Sequence, residues 1–370
     1  MTTKGPTTYW DYIRVEELLS LQAGLGDSSD DLANDEVLFI TVHQVYELWF
    51  QLVLRELKSA RDLFRANPVA EQELSGVVAA LRRVTTIFQT AVDHFAVVET
   101  LSTRAYLAFR DKLMPASGFQ SAQLRQIEIV FGLEESERIP LGPKGSHLAA
   151  LEKPGGGKSA ALARVEASLA DGPSLKDAVD DWLERTPVDA TRGADGDPES
   201  DFAGFIERYL DAHAGVSRAS RAHAQSVAEA ASRDVEAERE RLAAVYGKER
   251  AGVEAFLRPG DERTARVRAA MVFLETYREL PLLAWPRQVL ASLVEVEQAF
   301  VMFRQRHARM VERVIGRRTG TGGSAGVEYL DQTALEYRIF RDLWAVRTLL
   351  VPADAAPELR DPAFYGFRSA

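Results

Sequence analysis

One segment near the C-terminal end, residues 307–330, combines side chains that could do chemistry. His307 stands in a row of apolar side chains spaced alternately four and three residues apart, which places the whole row on one helix face. The row is Val289, Leu293, Val296, Phe300, Phe303, His307, Met310 and Val314. A loop of glycine, threonine and serine follows at residues 319–324, and its backbone N–H groups could approach a small anion closely. A ligating histidine beside such a loop predicts a site for a cofactor and a substrate.

The same segment also has a purely structural interpretation. A histidine in an apolar helical stripe can be a core residue whose ring is hydrogen-bonded, and the loop can be a helix end followed by a turn. Gly316 would then terminate the helix. Periodicity alone does not decide between the two interpretations.

Composition excludes several classes of site and partner. The 370 residues carry a formal net charge of −10, which argues against nucleic acid or an anionic membrane as the main partner. The absence of cysteine excludes disulfides, thiolate ligands and cysteine-held iron–sulfur clusters. The N-terminus has no apolar signal core, and no run of about eighteen apolar residues occurs, so we expect a cytoplasmic protein.

Helical periodicity dominates the chain and predicts an all-α fold, a helical bundle with its site between long helices. Asp35 is a predicted N-cap of a helix that reaches about residue 65, and a second long helix is predicted from about 70 to 98. A break is predicted at Pro281 and Pro286. Further helical segments are predicted at residues 121–131, at 217–251 as a helix or hairpin, and from about 263 onward.

The middle of the chain differs from its two ends. Residues 140–200 are polar and rich in glycine and proline, and a charged helical stretch follows them. We therefore expect a single domain, residues 1–370, with a variable polar insertion of loops and helices at about 140–260.

Four other stretches accompany the His307 segment. They are TYWDYIRVEELLSLQ (8–22), DEVLFITVHQVYELWFQLVLREL (35–57), AYLAFRDKLMPASGFQSAQLRQIE (105–128) and YRIFRDLWAVRTLLVP (337–352). HQxxELW, SGFQS and GTGGS in this order form a specific set. In these motifs the chain resembles the tryptophan 2,3-dioxygenases, a family of haem enzymes.

The resemblance implies a haem site. His307 corresponds to the axial histidine that holds the iron of haem b, and Ser117 and Gly118 correspond to small residues beside the haem. His43 is by its position alone a core histidine, and paired with His307 it could be a second axial ligand or a distal donor. The resemblance matches it to the distal histidine that faces the indole N–H of the substrate.

The resemblance also implies a substrate clamp. Phe39 corresponds to the phenylalanine that packs against the substrate ring, a role that suits a flat aromatic side chain. Tyr106 and Arg110 lie four residues apart, on one helix face, and Arg110 corresponds to the arginine that pairs with the substrate carboxylate. Thr321 corresponds to the threonine that contacts the amino acid moiety. An exposed arginine and an ordinary turn threonine remain the structural alternatives.

Tyr9, Tyr12 and Ile13 match residues that reach into the active site of a neighbouring subunit. If this carries over, the enzyme is an oligomer, and the family suggests a homotetramer. The reaction implied is the insertion of both atoms of O₂ across the indole C2–C3 bond of L-tryptophan. The product is N-formyl-L-kynurenine, the first step of the kynurenine route.

The chain departs from the usual family motifs at several positions. Tyr46 replaces a serine, Gln51 a lysine, Phe303 a tryptophan and Leu124 a tyrosine, and Ala325, Val327 and Asp331 alter the loop. Two alternatives therefore stay open. One is a haem monooxygenase of a modified indole in natural-product biosynthesis, and the other is a non-catalytic haem or gas-binding protein.

Overall fold

The computed structural model of the chain describes residues 7–113, 120–140, 148–153, 156–193, 198–231, 234–318 and 326–366. Within these ranges the regular secondary structure is almost entirely helical, which confirms the prediction of an all-α protein. The α-helices are α1 (Tyr9–Tyr12), α2 (Val15–Leu19), α3 (Asn34–Phe64), α4 (Leu74–Val98), α5 (Thr103–Phe109), α6 (Ala122–Phe131), α7 (Ala160–Leu169), α8 (Leu175–Glu184), α9 (Phe202–Ala230), α10 (Val235–Leu257), α11 (Glu262–Thr276), α12 (Ala284–Ile315), α13 (Val327–Glu336) and α14 (Arg341–Val346). One short antiparallel pair joins β1 (Thr191–Arg192) to β2 (Pro198–Glu199).

The chain divides into two compact units. The first unit comprises Met1–Glu56, Arg83–Gly172 and Gln298–Tyr337, and the second comprises Leu57–Arg82, Pro173–Glu297 and Arg338–Ala370. Helices α3, α4 and α12 each contribute residues to both units. Because these helices are continuous, the division does not test the expected single domain with an insertion at about 140–260, which stays a prediction.

The core of the first unit is aromatic. Phe88 of α4 stacks on Phe300 of α12, with ring centroids 4.7 Å apart, and Phe131 of α6 lies 5.8 Å from Phe300. Each of these rings is buried, and such stacked pairs add to the free energy of burial itself. The phenylalanines therefore hold α4, α6 and the His307 half of α12 in one fixed arrangement.

The second unit has its own aromatic core and its own buried ion pair. Phe205 of α9 lies edge-on to Phe273 of α11, with centroids 5.5 Å apart, and both are buried. The buried carboxylate of Asp189 pairs with Arg208 and accepts a hydrogen bond from the backbone N–H of Arg360. Of the helix or hairpin expected at residues 217–251, the structure favours the hairpin, because the two successive helices α9 and α10 pack against each other there.

Two expectations about helix ends need correction. The predicted N-cap Asp35 lies inside the first turn, because α3 begins at Asn34. Pro286 does not break the chain, because α12 begins at Ala284 and Pro286 falls in its first turn. A proline is tolerated there because the first backbone N–H groups of a helix have no intrahelical partner. The break is instead the short 3₁₀ turn Pro281–Leu283.

Helix α3 is long and apolar enough to cross a membrane by length and composition alone. It is also a core helix, since its residues Phe50, Val53 and Leu57 are buried within the protein. Core helices of soluble proteins share this composition, so α3 is weak evidence for a membrane span.

Candidate active site

His307 lies in the C-terminal half of α12, on the stripe that the sequence predicts. The apolar members of this stripe are buried, and the His307 ring is half-buried among them. The ring lies roughly parallel to those of Phe95 and Phe303, with centroids 5.7 Å and 6.3 Å away. Neither of its nitrogens has a hydrogen-bond partner among the residues that the structure describes. An imidazole held by flat apolar contacts alone is free to bind a ligand through nitrogen.

The electrostatic state of His307 suits a metal ligand. Desolvation, followed by the charges of His43 and Arg304, lowers the pKa of His307 to about 4. The ring is therefore neutral near pH 7, the form that coordinates a metal ion. Both histidines are desolvated by the protein around them, yet His43 is solvent-exposed and His307 only half-buried. A side chain that is surrounded by protein atoms and can still be reached by solvent lies in a concave surface. The two rings therefore line a concave part of the first unit.

His43 projects from α3 with a defined tautomer. Its Nδ1 lies 2.7 Å from the backbone carbonyl oxygen of Phe39. A carbonyl oxygen only accepts hydrogen bonds, so Nδ1 carries the proton and donates it. Desolvation lowers the pKa of His43, although the Phe39 carbonyl and Glu47 oppose this, and the ring is neutral. Its Nε2 therefore presents a lone pair that can accept a hydrogen bond from a ligand.

An aromatic wall stands beside His43. The Phe39 ring has its centroid 4.0 Å from that of His43, 6.0 Å from that of Tyr106 and 5.5 Å from that of Phe109. Tyr106 and Phe109 are buried residues of α5, whose N-cap Ser102 accepts a hydrogen bond from the backbone N–H of Ala105. The wall can pack against one face of a flat aromatic ligand.

Arg110 begins the 3₁₀ turn Arg110–Leu113 directly after α5 and is half-buried. Its side chain is hydrogen-bonded to Tyr106, and burial raises the pKa of that phenol while the Arg110 charge lowers it. Tyr106 in turn contacts Phe39, so the structure brings Phe39, His43, Tyr106 and Arg110 together. A guanidinium beside an aromatic wall can hold a carboxylate on an aromatic ligand.

The N-terminal residues are placed differently. Tyr9 and Tyr12 belong to α1 and are 76% and 80% exposed, and Ile13 directly follows and is also exposed. Trp10 is exposed as well. Exposed aromatic side chains on one short segment are typical of a surface that another chain covers.

Three predicted residues, Ser117, Gly118 and Thr321, lie outside the described residues. The end of α12 before the loop is described: the helix ends at Ile315, and Gly316 takes a φ of +64°. The helix therefore ends at Gly316, as the structural interpretation of this segment expected, because glycine adopts this left-handed conformation without strain.

Sequence reasoning missed the aromatic layer behind His307. Tyr46 donates a hydrogen bond to the Ala91 carbonyl (3.1 Å), and its ring lies 6.0 Å from Phe303 and 5.2 Å from Phe95. Tyr46 and Phe303, two departures from the family motifs, thus touch each other. The apolar positions of α4 also recur at three-four spacing: Leu74, Val77, Leu81, Val84, Phe88, Ala91 and Phe95. This stripe could have indicated that Phe95 is buried, but not that it would stack on His307.

A cavity of about 630 Å³ lies apart from these residues. It is lined by Ser29, Asp30, Leu32, Asn34, Val37, Leu38, Thr41, Val42 and Val97. None of the predicted site residues that the structure describes lines it. The rings and charges around His43 and His307, and not this cavity, locate the candidate active site.

Comparisons with known proteins agree with these motifs. The family model described as tryptophan 2,3-dioxygenase matches residues 1–350. The tryptophan 2,3-dioxygenase of Sorangium cellulosum is 54% identical over 369 residues, 97% of this chain and 87% of the relative. Tryptophan 2,3-dioxygenase 2 of Ralstonia nicotianae is 50% identical over 372 residues, 98% of each chain, and tryptophan 2,3-dioxygenase B of Danio rerio is 33% identical over 363 residues, 96% of this chain and 85% of the relative. The resemblance predicted from the motifs is thus confirmed, and the chain belongs to the tryptophan 2,3-dioxygenase family of oxidoreductases.

Proposed function

We propose that this chain is a haem-dependent dioxygenase that inserts both atoms of O₂ across the indole C2–C3 bond of L-tryptophan. The product is N-formyl-L-kynurenine. One observation carries the proposal: a neutral His307 without a hydrogen-bond partner among the described residues lies near a neutral His43 whose Nε2 can accept a hydrogen bond. The first offers a metal ligand, and the second offers a partner for an indole N–H.

The residues present fit a haem. A cysteine-free chain must bind iron through other ligands, and His307 is a neutral imidazole with both nitrogens free of described protein partners. The flanking Phe95 and Phe303 rings restrict how it can turn. His307 would hold the iron of haem b, and Ser117 and Gly118 would lie beside the haem. Bound there, the haem would supply the binding and activation of O₂.

The protein side chains would bind and orient the indole. Nε2 of His43 accepts a hydrogen bond from the indole N–H. This bond fixes the orientation of the indole ring within its own plane. Phe39 and Tyr106 pack against the indole and exclude water from that face. Arg110 binds the carboxylate with two parallel hydrogen bonds, and Thr321 helps to hold the amino acid end. Such positioning lowers the barrier because the reacting atoms are already aligned.

We further propose a homotetramer in the cytoplasm. The exposed Tyr9, Tyr12 and Ile13 would be covered by a neighbouring subunit and would complete its active site. Soluble oligomers usually have closed symmetry. An N-terminal segment that each subunit contributes to a neighbouring subunit is compatible with such symmetry.

Product analysis in ¹⁸O₂ tests the proposed reaction. The purified, haem-loaded protein is given L-tryptophan, and the product mass is measured. Two labelled oxygen atoms in N-formyl-L-kynurenine support the proposal. One labelled atom favours the monooxygenase alternative. A protein that loads haem and binds O₂ but turns over no indole is a gas-binding protein.

A further inference from the structure

The interior of the first unit contains one carboxylate surrounded by three guanidinium groups. Glu128 of α6 is 0% exposed. Its oxygens accept hydrogen bonds from Arg125 Nη1 (2.9 Å), Arg138 Nη1 (2.7 Å) and Arg304 Nη2 (2.8 Å). All three arginine side chains are at least nine-tenths buried. We call these four residues the arginine cluster.

The arginine cluster has excess positive charge. Three guanidiniums face one buried carboxylate, and the solvent-exposed Glu135 lies 3.2 Å from Arg138. Burial opposes ionisation of Glu128, yet the charges of Arg125, Arg304 and Arg138 hold its pKa well below the usual range. Even with Glu135 counted, at least one positive charge in the interior has no matching negative charge in the cluster. Well-packed apolar residues commonly stabilise a fold as well as a buried ion cluster does, so this excess charge suggests a functional role.

Arg304 brings this charge next to the metal ligand. It lies three residues before His307 on α12, so the two side chains are separated by about one helical turn. Its guanidinium is held over the rings of Phe300 (4.3 Å) and Tyr337 (4.9 Å) as well as by Glu128. It cannot turn to solvent without losing all three contacts. Water and salt therefore screen its charge much less than they screen a surface arginine.

Arg306 and Arg309, two other arginines of α12 near His307, do not combine burial with an unbalanced positive charge. Arg306 makes a two-pronged pair with Glu99, which cancels its charge locally. Arg309 has a side chain that is 48% exposed and pairs with Glu312 and Asp331.

We propose that the arginine cluster, through Arg304, sets the reduction potential of the haem that His307 binds and favours its ferrous form. The inference rests on the proposed function. A one-electron donor, itself oxidised by one electron, would reduce ferric to ferrous haem and would so lower the net charge of the site by one. A fixed positive charge nearby therefore stabilises the ferrous product, which is the form that binds O₂. Arg304 is a positioning and electrostatic residue here, without contact to substrate.

Potentiometric titration of the haem absorption bands tests this proposal. Two unit charges about 10 Å apart at an effective dielectric constant of about 20 change an equilibrium constant roughly tenfold, and this sets the scale of the expected shift in the ferrous-to-ferric ratio. Arg304→Met should therefore lower this ratio about tenfold at the potential where the parent is half reduced. Arg304→Lys keeps the charge but loses the planar fork, and it should stay within about twofold of the parent. Arg309→Met, a matched loss of an exposed charge on the same helix, should also stay within about twofold.

Three results would overturn the proposal: an unchanged ratio in Arg304→Met, equal shifts in Arg304→Met and Arg304→Lys, or an equal shift in Arg309→Met. If Arg304→Met does not fold or load haem, Arg125→Met removes a cluster charge from α6 without altering the His307 helix. It must shift the ratio in the same direction, and an unchanged ratio there refutes the inference. A parent that takes up no haem refutes the proposed function as well, whereas a haem-loaded parent with indifferent variants refutes only this inference.

Discussion

The Nδ1 atom of His43 lies 2.7 Å from the backbone carbonyl oxygen of Phe39, one helical turn earlier on α3. This bond fixes the tautomer of His43 and at the same time turns its Nε2 away from the helix backbone. Phe39, which supplies the carbonyl, also supplies the ring that lies 4.0 Å from the imidazole. One turn of helix therefore sets both the acceptor and the aromatic surface of the proposed indole site.

The His43 acceptor predicts a substrate-specific loss. His43→Ala should lower kcat/KM for L-tryptophan by roughly 5- to 100-fold, because the indole N–H would be left without its partner in a desolvated site. Haem content should not change. Tryptophan methylated on the indole nitrogen serves as the control, since it has no N–H to donate and should be nearly indifferent to the substitution. Equal losses for both substrates would show that His43 does not bind the indole N–H.

The lowered pKa of His43 predicts a pH dependence. The neutral ring accepts the hydrogen bond, and protonation removes the acceptor, so kcat/KM should fall as the pH falls through the pKa of His43. Because desolvation lowers that pKa, the midpoint of the acid limb should lie below the usual 6.5. The limb should disappear in His43→Ala. A midpoint above 6.5 that belongs to His43 would contradict the assignment.

His307 should be indispensable for haem binding. His307→Ala removes the only proposed axial ligand and should strip the haem or weaken its binding severely. His94→Ala is the matched control, because His94 is a half-buried histidine of the same unit on α4. It should keep a full complement of haem, as should His43→Ala. Haem is measured by absorbance per subunit after purification, and a full complement in His307→Ala would refute the ligand assignment.

Arg110 should act on the substrate carboxylate. A charge-assisted pair in a largely dry site contributes roughly 2–5 kcal/mol when one partner is truncated, so Arg110→Ala should lower kcat/KM for L-tryptophan by about 30-fold to several thousand-fold. O₂ and CO binding to the ferrous haem should barely change. Arg104→Ala, an exposed arginine on α5, should have little effect. If Arg110→Ala affects a decarboxylated analogue as much as L-tryptophan, Arg110 is not the carboxylate clamp.

The exposed N-terminal segment predicts a shared active site. Removal of residues 1–14 deletes Tyr9, Tyr12 and Ile13, and it should reduce turnover much more than it reduces haem content. Sedimentation shows whether the truncated protein still forms an oligomer. A truncated monomer with the turnover of the full chain would exclude a contribution from a neighbouring subunit.

Local features of this protein could be predicted from the sequence because their causes are local. The three-four spacing on α12 and α4 predicts which side of each helix is buried, and Val289, Val77 and Phe88 are indeed buried. Gly316 marks the end of α12 because few other residues adopt its backbone conformation without strain. The family motifs likewise predicted the family. The predicted break at Pro286 was wrong because a proline is tolerated in the first turn of a helix but not in its interior. The sequence does not mark clearly where the first turn lies.

Only the tertiary structure decided which of these faces meet. Phe95 stacks on His307 across more than two hundred residues of chain, and Glu128 gathers arginines from its own helix, from the segment after it and from α12. Periodicity indicates that a residue is buried, but it carries no information about its partner, because any apolar face can satisfy the hydrophobic effect. The pKa of His307 and the excess charge beside it depend on those partners. The sequence by itself therefore determined the helices, their buried faces and the family, while the packing of α3, α4, α6 and α12 decided the electrostatics of the site.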